Sequence, residues 1–274
     1  MPELPEVETV VRGLRPLLLG RTVTHLTLSW TRTIHSPAPD EFMSLVAGQT
    51  IQDVSRRAKY IVITLTDMTL LIHLKMTGRL YVIPKSATDE ADKWVRAVFD
   101  LDDDHQLRFS DSRKFGKLYL TTSPQTFFAH IGPEPLSDDF TIPDFSARLT
   151  AHHKAIKALL LDQAFIAGVG NIYADEALFR ANIHPQTPAN QLSDTQIALL
   201  YQSIREALQL GIDHEGASIN WYRKPDGTKG ESQDHFLVYG RDNQPCVVCG
   251  TSIHKIRVAQ RGTHFCPNCQ VLSS

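Results

Sequence analysis

The sequence predicts an α+β protein of several domains. The spacing of its apolar residues changes from a helical period to a strand period and back, with turn-forming residues between the segments. The only four cysteines lie close together near the C-terminus. In chain order we expect an N-terminal helix, an antiparallel β-sandwich, a helical domain and a cysteine-held β-hairpin. We place the domain limits at residues 1–132, 133–234 and 235–274.

The first predicted element is an amphipathic helix over residues 5–19. Apolar residues recur there at spacings of three and four, which is the period of one helix face. We expect Gly20 to end the helix. The apolar residues are Val7, Val10, Val11, Leu14, Leu17 and Leu18.

A region of strands follows, from residue 22 to about residue 122. Short runs rich in β-branched residues alternate there with turn residues, which is typical of an antiparallel sandwich or barrel. The acidic triplet at residues 102–104 indicates a solvated hairpin turn. The predicted strands are Thr22–Trp30, Ile51–Ser55, Tyr60–Leu65, Thr69–Leu74, Leu80–Ile83, Val95–Leu101, Gln106–Ser110 and Lys117–Leu120.

The second half of the chain is predicted to be helical. Residues 132–145 contain several prolines and acidic residues and predict a linker. Beyond it, apolar spacing predicts helices over 145–165, 172–181 and 193–213. From about residue 235 the pattern returns to short strands around the cysteines.

The N-terminal residues carry a chemically suggestive pattern. If Met1 is removed, the chain begins with the secondary amine of Pro2, a nucleophile that condenses with an aldehyde to give a cationic iminium. Glu3 and Glu6 lie one helical turn apart and can face the same side. An amine beside acid/base carboxylates suits covalent work on a sugar aldehyde. The alternative is an ordinary helix start, in which proline and glutamate favour the first turn.

The cysteines have the spacing of a zinc site. Cys246 and Cys249 form one C-x2-C pair, Cys266 and Cys269 form another, and sixteen residues separate the pairs. A disulfide pair is the alternative, but the sequence shows no secretory signal, so we expect the reducing cytosol, where disulfides are rare. We therefore expect one structural Zn²⁺ with a closed set of four ligands that does no chemistry, and no organic cofactor.

Charge is uneven along the chain. The formal net charge is −2, which mildly disfavours a nucleic-acid binder. However, residues 54–80 hold five basic residues against one acidic, and residues 105–120 and 240–274 each hold four against one. Basic clusters separated by acidic surface suit a protein that grips phosphates along one face. No apolar run approaches the length needed to cross a membrane.

A glycine-rich connection joins two of the predicted helices. In Gly168-Val169-Gly170-Asn171, the glycines permit close backbone approach, and Asn171 can cap the next helix. Backbone N–H groups at such a helix start can bind a phosphate. A plain helix–turn–helix connection explains the fragment equally well.

Taken together, these motifs resemble the family that contains formamidopyrimidine-DNA glycosylase and endonuclease VIII, and its oxidised-purine branch in particular. The resemblance runs in family order over the whole chain. The matching pieces are Pro2 to Glu8, Arg56 to Tyr60, His73 to Gly78, Asp111 to Gly116, Gly132 to Leu136, Gly168 to Ala174, Val238 to Arg241, and the four cysteines with Ala259 to Arg261 between them.

The resemblance implies a bifunctional base-excision enzyme that acts on damaged double-stranded DNA. Pro2 is expected to attack the sugar and expel an oxidised purine such as 8-oxoguanine or a formamidopyrimidine. Glu3 is expected to handle protons at the sugar, and Glu6 to support the damaged nucleotide or the proton relay. Elimination on both sides of the lesion then cuts the strand. The alternatives are an endonuclease VIII-type enzyme for oxidised pyrimidines and a non-catalytic zinc-dependent DNA-binding protein.

The resemblance also assigns DNA contacts and a helix–two-turn–helix element in the helical domain. Met76, Arg113 and Phe115 are expected to fill the space left by the extruded base, although an isolated methionine or phenylalanine more often packs in a core. The resemblance also implies a set of residues that contact phosphates. Lys59 and Arg261 of this set are expected to be catalytic as well, and Lys157 is expected to have a supporting electrostatic role. That set is Lys59, His73, Lys157, Asn171, Tyr239 and Arg261.

Some positions depart from the family pattern. Lys75 and Lys114 add or keep positive charge where other residues are common. The loop at residues 226–232, in the region that covers the flipped base, matches the family pattern poorly. The Leu-Pro-Glu sequence at residues 4–6 favours oxidised purines. We expect a monomer in the bacterial cytoplasm, associated with the nucleoid.

Overall fold

The chain forms two compact units in a computed structural model that describes residues 1–219 and 221–272. The first unit is Met1–Ala129 together with His214–Glu231, and the second is His130–Asp213 together with Ser232–Ser274. The segment 214–231 therefore returns to the N-terminal unit. The three domain limits expected from the sequence remain a prediction.

The first unit begins with helix α1, Leu4–Leu18, close to the predicted span. Its start is defined by a capping box, because the Glu3 side chain accepts from the Glu6 backbone while the Glu6 side chain accepts from the Glu3 backbone. Pro5 lies in the first turn, where its missing N–H is no loss. One face of the helix is buried, as the apolar spacing predicts.

Two sheets, two short α-helices and the 3-10 helices Thr31–Thr33 and Glu90–Trp94 complete the described part of the first unit. The order of strands in the four-stranded sheet is β1-β7-β8-β6, and in the five-stranded sheet it is β2-β9-β5-β4-β3. All strand pairs are antiparallel except β2 with β9. The strands and α-helices are β1 Val23–Leu28, β2 Ile34–Ser36, α2 Pro39–Val46, β3 Ile51–Arg57, β4 Tyr60–Leu65, β5 Thr69–His73, β6 Gly78–Pro84, β7 Val95–Leu101, β8 His105–Asp111, β9 Lys117–Thr121 and α3 Pro124–Phe128.

A large apolar cluster fills the first unit. It combines side chains of α1, such as Leu14, with side chains of both sheets, such as Phe99 and Ile72. The predicted helix and two-sheet architecture is confirmed, and so is the turn at residues 102–104, which joins β7 to β8. Strand β2 and helix α2 were not predicted from the sequence. Strand β2 has three residues and α2 has eight, and both are bordered by proline, so neither shows a full period.

The second unit contains four α-helices, two short 3-10 helices and a β-hairpin among the described residues. The α-helices and strands are α4 Ile142–Thr150, α5 Ile156–Leu160, α6 Asn171–Arg180, α7 Asp194–Asp213, β10 His254–Val258 and β11 Arg261–Phe265. The hairpin pairs β10 with β11 in antiparallel register. The predictions of α6, α7 and the C-terminal hairpin are confirmed to within a residue or two at the helix ends.

The prediction of one helix over 145–165 is wrong. The chain forms α4 and α5 instead, and α4 begins inside the predicted linker. Between them the backbone bonds to a distant segment: the Ile156 N–H donates to the Thr187 carbonyl at 2.8 Å, and the Ala189 N–H donates to the Lys154 carbonyl at 2.9 Å. These long-range bonds replace helical ones, so tertiary structure overrides a helical apolar pattern.

Among the described residues, no helix is both long enough and apolar enough to cross a membrane.

Candidate functional sites

The first candidate site is the start of α1. Pro2, Glu3 and Glu6 are all buried, and the two glutamates are only 3% and 2% exposed. Oε2 of Glu6 accepts the Glu3 N–H at 2.8 Å, and Oε1 accepts the Ala217 N–H at 2.8 Å. Backbone N–H groups at both carboxylate oxygens fix the Glu6 side chain. Met1 is 50% exposed.

The segment 214–231 packs against this helix start, which the sequence analysis did not anticipate. A Cβ on Gly216 would lie 3.0 Å from Cγ of Glu6 and 3.1 Å from its Cα, and the φ of Gly216 is +79°. Both facts require glycine here. Tyr222 is buried and donates its hydroxyl to the Glu215 carbonyl at 3.2 Å. Burial, together with the nearby Glu6 carboxylate, raises the pKa of Tyr222, so the phenol stays protonated.

The loop that carries Arg113 and Phe115 is organised by one buried carboxylate. Asp111 is fully buried at the end of β8 and accepts the Thr77 hydroxyl, together with the N–H groups of Phe115 and Gly116 at 2.7 Å each. A Cβ on Gly116 would lie 2.4 Å from Cζ of Phe109. Only glycine fits there, so the loop conformation follows from the Asp111 cage and this close approach.

The three predicted wedge residues lie together on the surface. Met76 and Phe115 are 44% and 49% exposed, so the alternative that they pack in the core does not hold. The guanidinium of Arg113 stands over the Phe115 ring at 4.8 Å and its Nη1 lies 3.0 Å from Sδ of Met76. Two apolar tips and one cation thus form a single projecting group.

Lys59 and His73 form a second group in the first unit. Lys59 is 5% exposed in the turn between β3 and β4, and His73 is 8% exposed at the end of β5. Burial, aided by the positive charges of Lys75 and Lys59, lowers the pKa of His73 from 6.5 to about 3. Nδ1 of His73 accepts the Lys75 N–H at 3.0 Å. The neutral ring therefore carries its proton on Nε2, which makes this nitrogen a donor.

Arg56 shapes the turn that holds Lys59, a role that the sequence analysis missed. Its Nη1 donates to the Ala58 carbonyl at 3.1 Å, and its Nε bonds Glu8 of α1 at 3.1 Å. Ala58 has a φ of 54°. An adjacent pair of arginines before a lysine is a weak signal, because it fits a solvated strand end equally well.

In the second unit, Asn171 and Lys157 converge on one backbone carbonyl. Asn171 is the first residue of α6, and its Nδ2 donates to the Gly262 carbonyl at 3.0 Å. Nζ of Lys157 donates to the same carbonyl at 3.1 Å and to the Thr263 hydroxyl at 2.7 Å. The two helical residues therefore hold the strand that begins with Arg261.

Lys157 is completely buried in an ion pair. Its Nζ lies 2.6 Å from Oδ1 of Asp175, and neither side chain has any exposed area. Oδ2 of Asp175 accepts the His264 N–H at 2.9 Å. Because no part of Lys157 reaches the surface, its predicted supporting role can be exercised only through the hairpin that it holds.

Arg261 is exposed at the turn of the hairpin. It pairs with Val258, so the turn consists of Ala259 and Gln260, whose φ angles are +47° and +61°. This left-handed backbone is uncommon for residues other than glycine, asparagine and aspartate. A tightly turned hairpin supported by Lys157 and Asn171 gives the arginine a defined base.

Tyr239 lies beside the same hairpin. The backbone N–H groups of Val238 and Tyr239 donate to Oε1 of Glu176 at 2.9 and 3.0 Å. The Tyr239 ring meets the His264 ring edge-on, with centroids 5.0 Å apart. Within the second unit, Tyr239 and Arg261 are thus both placed around β11, as Asn171 is.

The four cysteines converge at the base of the hairpin. Their Sγ atoms all lie within 4.8 Å of one another, with 3.9 Å between Cys246 and Cys269 and 3.5 Å between Cys249 and Cys266. A tetrahedral zinc with Zn–S bonds of about 2.3 Å separates its sulfurs by about 3.8 Å. The donor set therefore fits a closed zinc site with four thiolate ligands.

Family profiles match most of the chain. The profile described as the formamidopyrimidine-DNA glycosylase N-terminal domain matches residues 1–118, and that of the H2TH domain of the same enzyme matches residues 131–223. A zinc finger found in FPG and IleRS matches residues 243–271. The chain belongs to the formamidopyrimidine-DNA glycosylase family. The predicted family and helix–two-turn–helix element are confirmed, and the zinc-finger match agrees with one structural zinc at the four cysteines.

Relatives from several bacteria are similar over their full length. The formamidopyrimidine-DNA glycosylase of Chloroflexus aggregans is 50% identical, with 99% of each chain covered. That of Enterococcus faecalis is 44% identical, with 99% of this chain and 98% of the relative covered.

Solved structures of a further relative contain damaged DNA. A complex of wild-type Lactococcus lactis Fpg with N7-benzyl-Fapy-dG containing DNA has a TM-score of 0.91 and 39% identity, covering 98% of this chain and 100% of that one. A complex of the same bacterium's Fpg with abasic-site DNA has a TM-score of 0.91 and 39% identity, covering 98% and 99%.

Proposed function

We propose that this protein is a bifunctional DNA glycosylase and abasic-site lyase of base-excision repair. Its substrate is duplex DNA that contains an oxidised purine, such as 8-oxoguanine or a formamidopyrimidine. Because this substrate is chromosomal DNA, we also propose that the protein associates with the bacterial nucleoid. Membership of the glycosylase family and the DNA complexes of its structural relatives support the proposal.

The arrangement of Pro2, Glu3 and Glu6 carries the proposal. Pro2 precedes α1, and the two glutamates beside it are buried. Removal of the exposed Met1 converts the Pro2 nitrogen from an amide into a secondary amine. Glu6, fixed by two backbone N–H groups, holds the segment 214–231 against the helix start. We assign proton exchange with a bound sugar to Glu3, the buried carboxylate that follows Pro2 directly.

The chemistry follows from the amine. The Pro2 nitrogen attacks C1′ of the damaged nucleotide, the glycosidic bond breaks, and the base leaves with the bonding electrons and takes up a proton. Ring opening gives an iminium between Pro2 and C1′, with the proton at the sugar oxygen supplied by Glu3. The iminium acidifies C2′–H, so loss of that proton expels the 3′ phosphate. A second elimination expels the 5′ phosphate, and water then releases the enzyme.

The remaining site residues are proposed to hold the DNA. Met76 and Phe115 are apolar wedges for the space that an extruded base leaves, and Arg113 between them suits the unpaired base opposite. In the first unit, Lys59 and His73 supply phosphate donors. In the second unit, Asn171, Tyr239 and Arg261 do so, with Lys157 supporting them through the hairpin. These contacts fix the protein on DNA without reading sequence.

Borohydride trapping tests the proposal. The wild-type protein is incubated with a duplex that contains 8-oxoguanine opposite cytosine, or with a thymine glycol duplex, and the iminium is reduced to a stable amine. We expect a covalent adduct through residue 2, formed faster with the 8-oxoguanine duplex. Faster trapping on thymine glycol supports an enzyme for oxidised pyrimidines, and binding without an adduct supports a non-catalytic protein.

A blocked N-terminus is the matched control. A variant with a non-removable N-terminal extension keeps every side chain but converts the Pro2 amine into an amide. It should bind damaged DNA and form no adduct. An undiminished yield of adduct from this variant contradicts Pro2 as the nucleophile.

A further inference from the structure

An aromatic cluster lies on one face of the five-stranded sheet and includes His73. Tyr60 on β4 pairs directly with His73 on β5, so the two side chains leave the sheet on the same face. Their rings meet edge-on, with centroids 4.7 Å apart and planes at 82°. In the part of the chain that the structure describes, Tyr60 supplies the one aromatic ring in contact with His73. This contact restricts how the imidazole can turn.

The Tyr60 ring is held in turn by the short helix α3 and by strand β9. Phe127 and Phe128 of α3 each meet it edge-on at a centroid distance of 5.5 Å, and the Tyr119 ring of β9 lies 6.2 Å away. Burial, together with the nearby Tyr119 hydroxyl, raises the pKa of Tyr60 to about 12, so the phenol stays protonated. Tyr60 is thus a closely packed and uncharged neighbour of His73.

The other contacts of His73 do not fix the plane of its ring. Nδ1 accepts the Lys75 N–H at 3.0 Å, which sets the tautomer. Lys117 of β9 pairs with His73 on its other side, but the ammonium of Lys117 donates to the Arg32 carbonyl at 2.7 Å. The last side-chain torsion of histidine has broad energy wells, so one hydrogen bond leaves the ring free to rock. The Tyr60 ring supplies the second restraint.

We propose that Tyr60 is a positioning residue for His73, whose imidazole plane it fixes so that Nε2–H is aimed at a phosphate of the bound DNA. The proposal rests on the DNA contact proposed above for His73. A hydrogen bond weakens steeply as the donor departs from a straight line with the acceptor. The neutral His73 ring has no positive charge to offset poor alignment, so its grip depends on orientation. Tyr60 acts through His73 and does not itself bind DNA.

A double-mutant cycle tests this coupling. Binding is measured on a duplex that contains a tetrahydrofuran abasic analogue, which the protein cannot cleave. Tyr60→Leu should weaken binding about 5-fold, the size of one impaired hydrogen bond, whereas Tyr60→Phe keeps the ring and should bind like the wild type. In a His73→Ala background, Tyr60→Leu should cost nothing further, because the donor is already absent. In a Lys59→Ala background, the full 5-fold loss should persist.

Tyr119→Leu is the matched control. It removes a tyrosine from the same cluster and the same sheet, but the Tyr119 ring meets Tyr60, Phe127 and His35 and not His73. Tyr119→Leu and Tyr60→Leu should lower the unfolding temperature by similar amounts, and only Tyr60→Leu should weaken DNA binding. Equal weakening by both variants, or a Tyr60 effect that persists without His73, overturns the proposal.

Nitrogen-15 NMR of the free protein gives a readout that needs no DNA. At pH 7 the wild-type His73 ring should show the shifts of a single tautomer with its proton on Nε2. In Tyr60→Leu the ring can turn away from the Lys75 N–H, so the shifts of its two nitrogens should move towards each other. Tyr60→Phe and Tyr119→Leu should leave them unchanged. Unchanged shifts in Tyr60→Leu show that the ring keeps its orientation without Tyr60, which also overturns the proposal.

The outcome is separable from that of the glycosylase proposal. If the wild-type protein forms no borohydride adduct but the coupling between Tyr60 and His73 is present, the glycosylase proposal fails and the positioning role stands. If the adduct forms and the coupling is missing, only the positioning role fails.

Discussion

His73 shows how a single side chain can be a hydrogen-bond donor without carrying charge. Its Nδ1 is occupied by the Lys75 N–H, and burial beside Lys75 and Lys59 lowers the pKa of His73 to about 3. At neutral pH the ring is neutral and offers only Nε2–H. A neutral donor aligns a phosphate but releases few counterions, so its contribution depends little on salt.

The lowered pKa of His73 predicts a pH dependence of stability. The unfolded state binds the additional proton between pH 6.5 and about 3, because the folded ring resists protonation in that window. Stability therefore falls as pH falls through this range, by at most about 1.4 kcal/mol per pH unit. His73→Gln keeps an acceptor and a donor but has no charge to gain. Urea unfolding from pH 7 to pH 4 should show a shallower loss for this variant.

An exposed histidine gives the control for that measurement. His25 lies exposed on β1, so solvent surrounds its ring before and after unfolding. His25→Gln should reproduce the wild-type slope. If the His73 and His25 variants have the same slope as the wild type, the His73 ring is protonated as easily in the folded state as in the unfolded state.

Substitutions of Arg113 and Lys59 distinguish a contact with the base opposite the lesion from a contact with a phosphate. If Arg113 contacts the unpaired base, Arg113→Ala should blur discrimination among opposite bases, at a cost of about 1–3 kcal/mol. Lys59→Ala should weaken binding to all sequences and lower the salt dependence by about one unit. The reason is that a phosphate looks the same beside every base, whereas a base edge does not. Excision kinetics opposite cytosine, adenine, guanine and thymine, at several salt concentrations, measure both effects.

The ranking of the opposite bases decides the Arg113 assignment. Equal slowing of all four rates by Arg113→Ala, with the ranking kept, shows that the side chain is a phosphate anchor or a structural arginine.

At the scale of single elements, we predict that the zinc hairpin links metal binding to DNA binding. Cys249→Ser removes one of four ligands, so the metal should be lost and the strand that carries Arg261 should loosen. We expect lower zinc content and weaker DNA binding together. Val248→Ser, at the 73% exposed neighbouring position, is the matched control and should change neither. Loss of zinc with unchanged DNA affinity shows that the hairpin is no part of the grip.

Elements with a clear period were predictable, whereas those defined by distant contacts were not. Apolar spacing predicts helix α1 and strand β4, and the cysteine spacing indicates a metal-held hairpin. The break between α4 and α5 depends on backbone bonds to residues 187–189, which no local pattern reveals. Likewise, the Ala217 N–H on Glu6 joins positions 211 residues apart, so the contribution of segment 214–231 to the site was invisible.

At the scale of the whole molecule, the net charge of −2 hides the local arrangement that matters. Arg113, at the centre of the exposed wedge residues, lies in a segment whose local charge is positive. The same holds for the exposed Arg261, as predicted from the sequence. Family membership followed from motifs spread over the full length. The return of segment 214–231 to the first unit could not be predicted, because it is a property of packing and not of composition.

The two units have separate apolar clusters, which predicts separable unfolding when zinc is removed. One apolar cluster of the second unit contains Cys246 and Cys266 together with Phe179, Val238 and Ile253, so loss of the metal opens that cluster directly. The cluster of the first unit contains no cysteine.

All three tryptophans, Trp30, Trp94 and Trp221, belong to the first unit, so their fluorescence reports on that unit alone. Far-ultraviolet circular dichroism reports on both units, because α7 with its 20 residues lies in the second. After chelation, the dichroism transition should move to lower temperature or divide in two, while the fluorescence transition stays in place. If fluorescence and dichroism give the same transition temperature with zinc, and the same lower temperature without it, the chain unfolds instead as one cooperative whole.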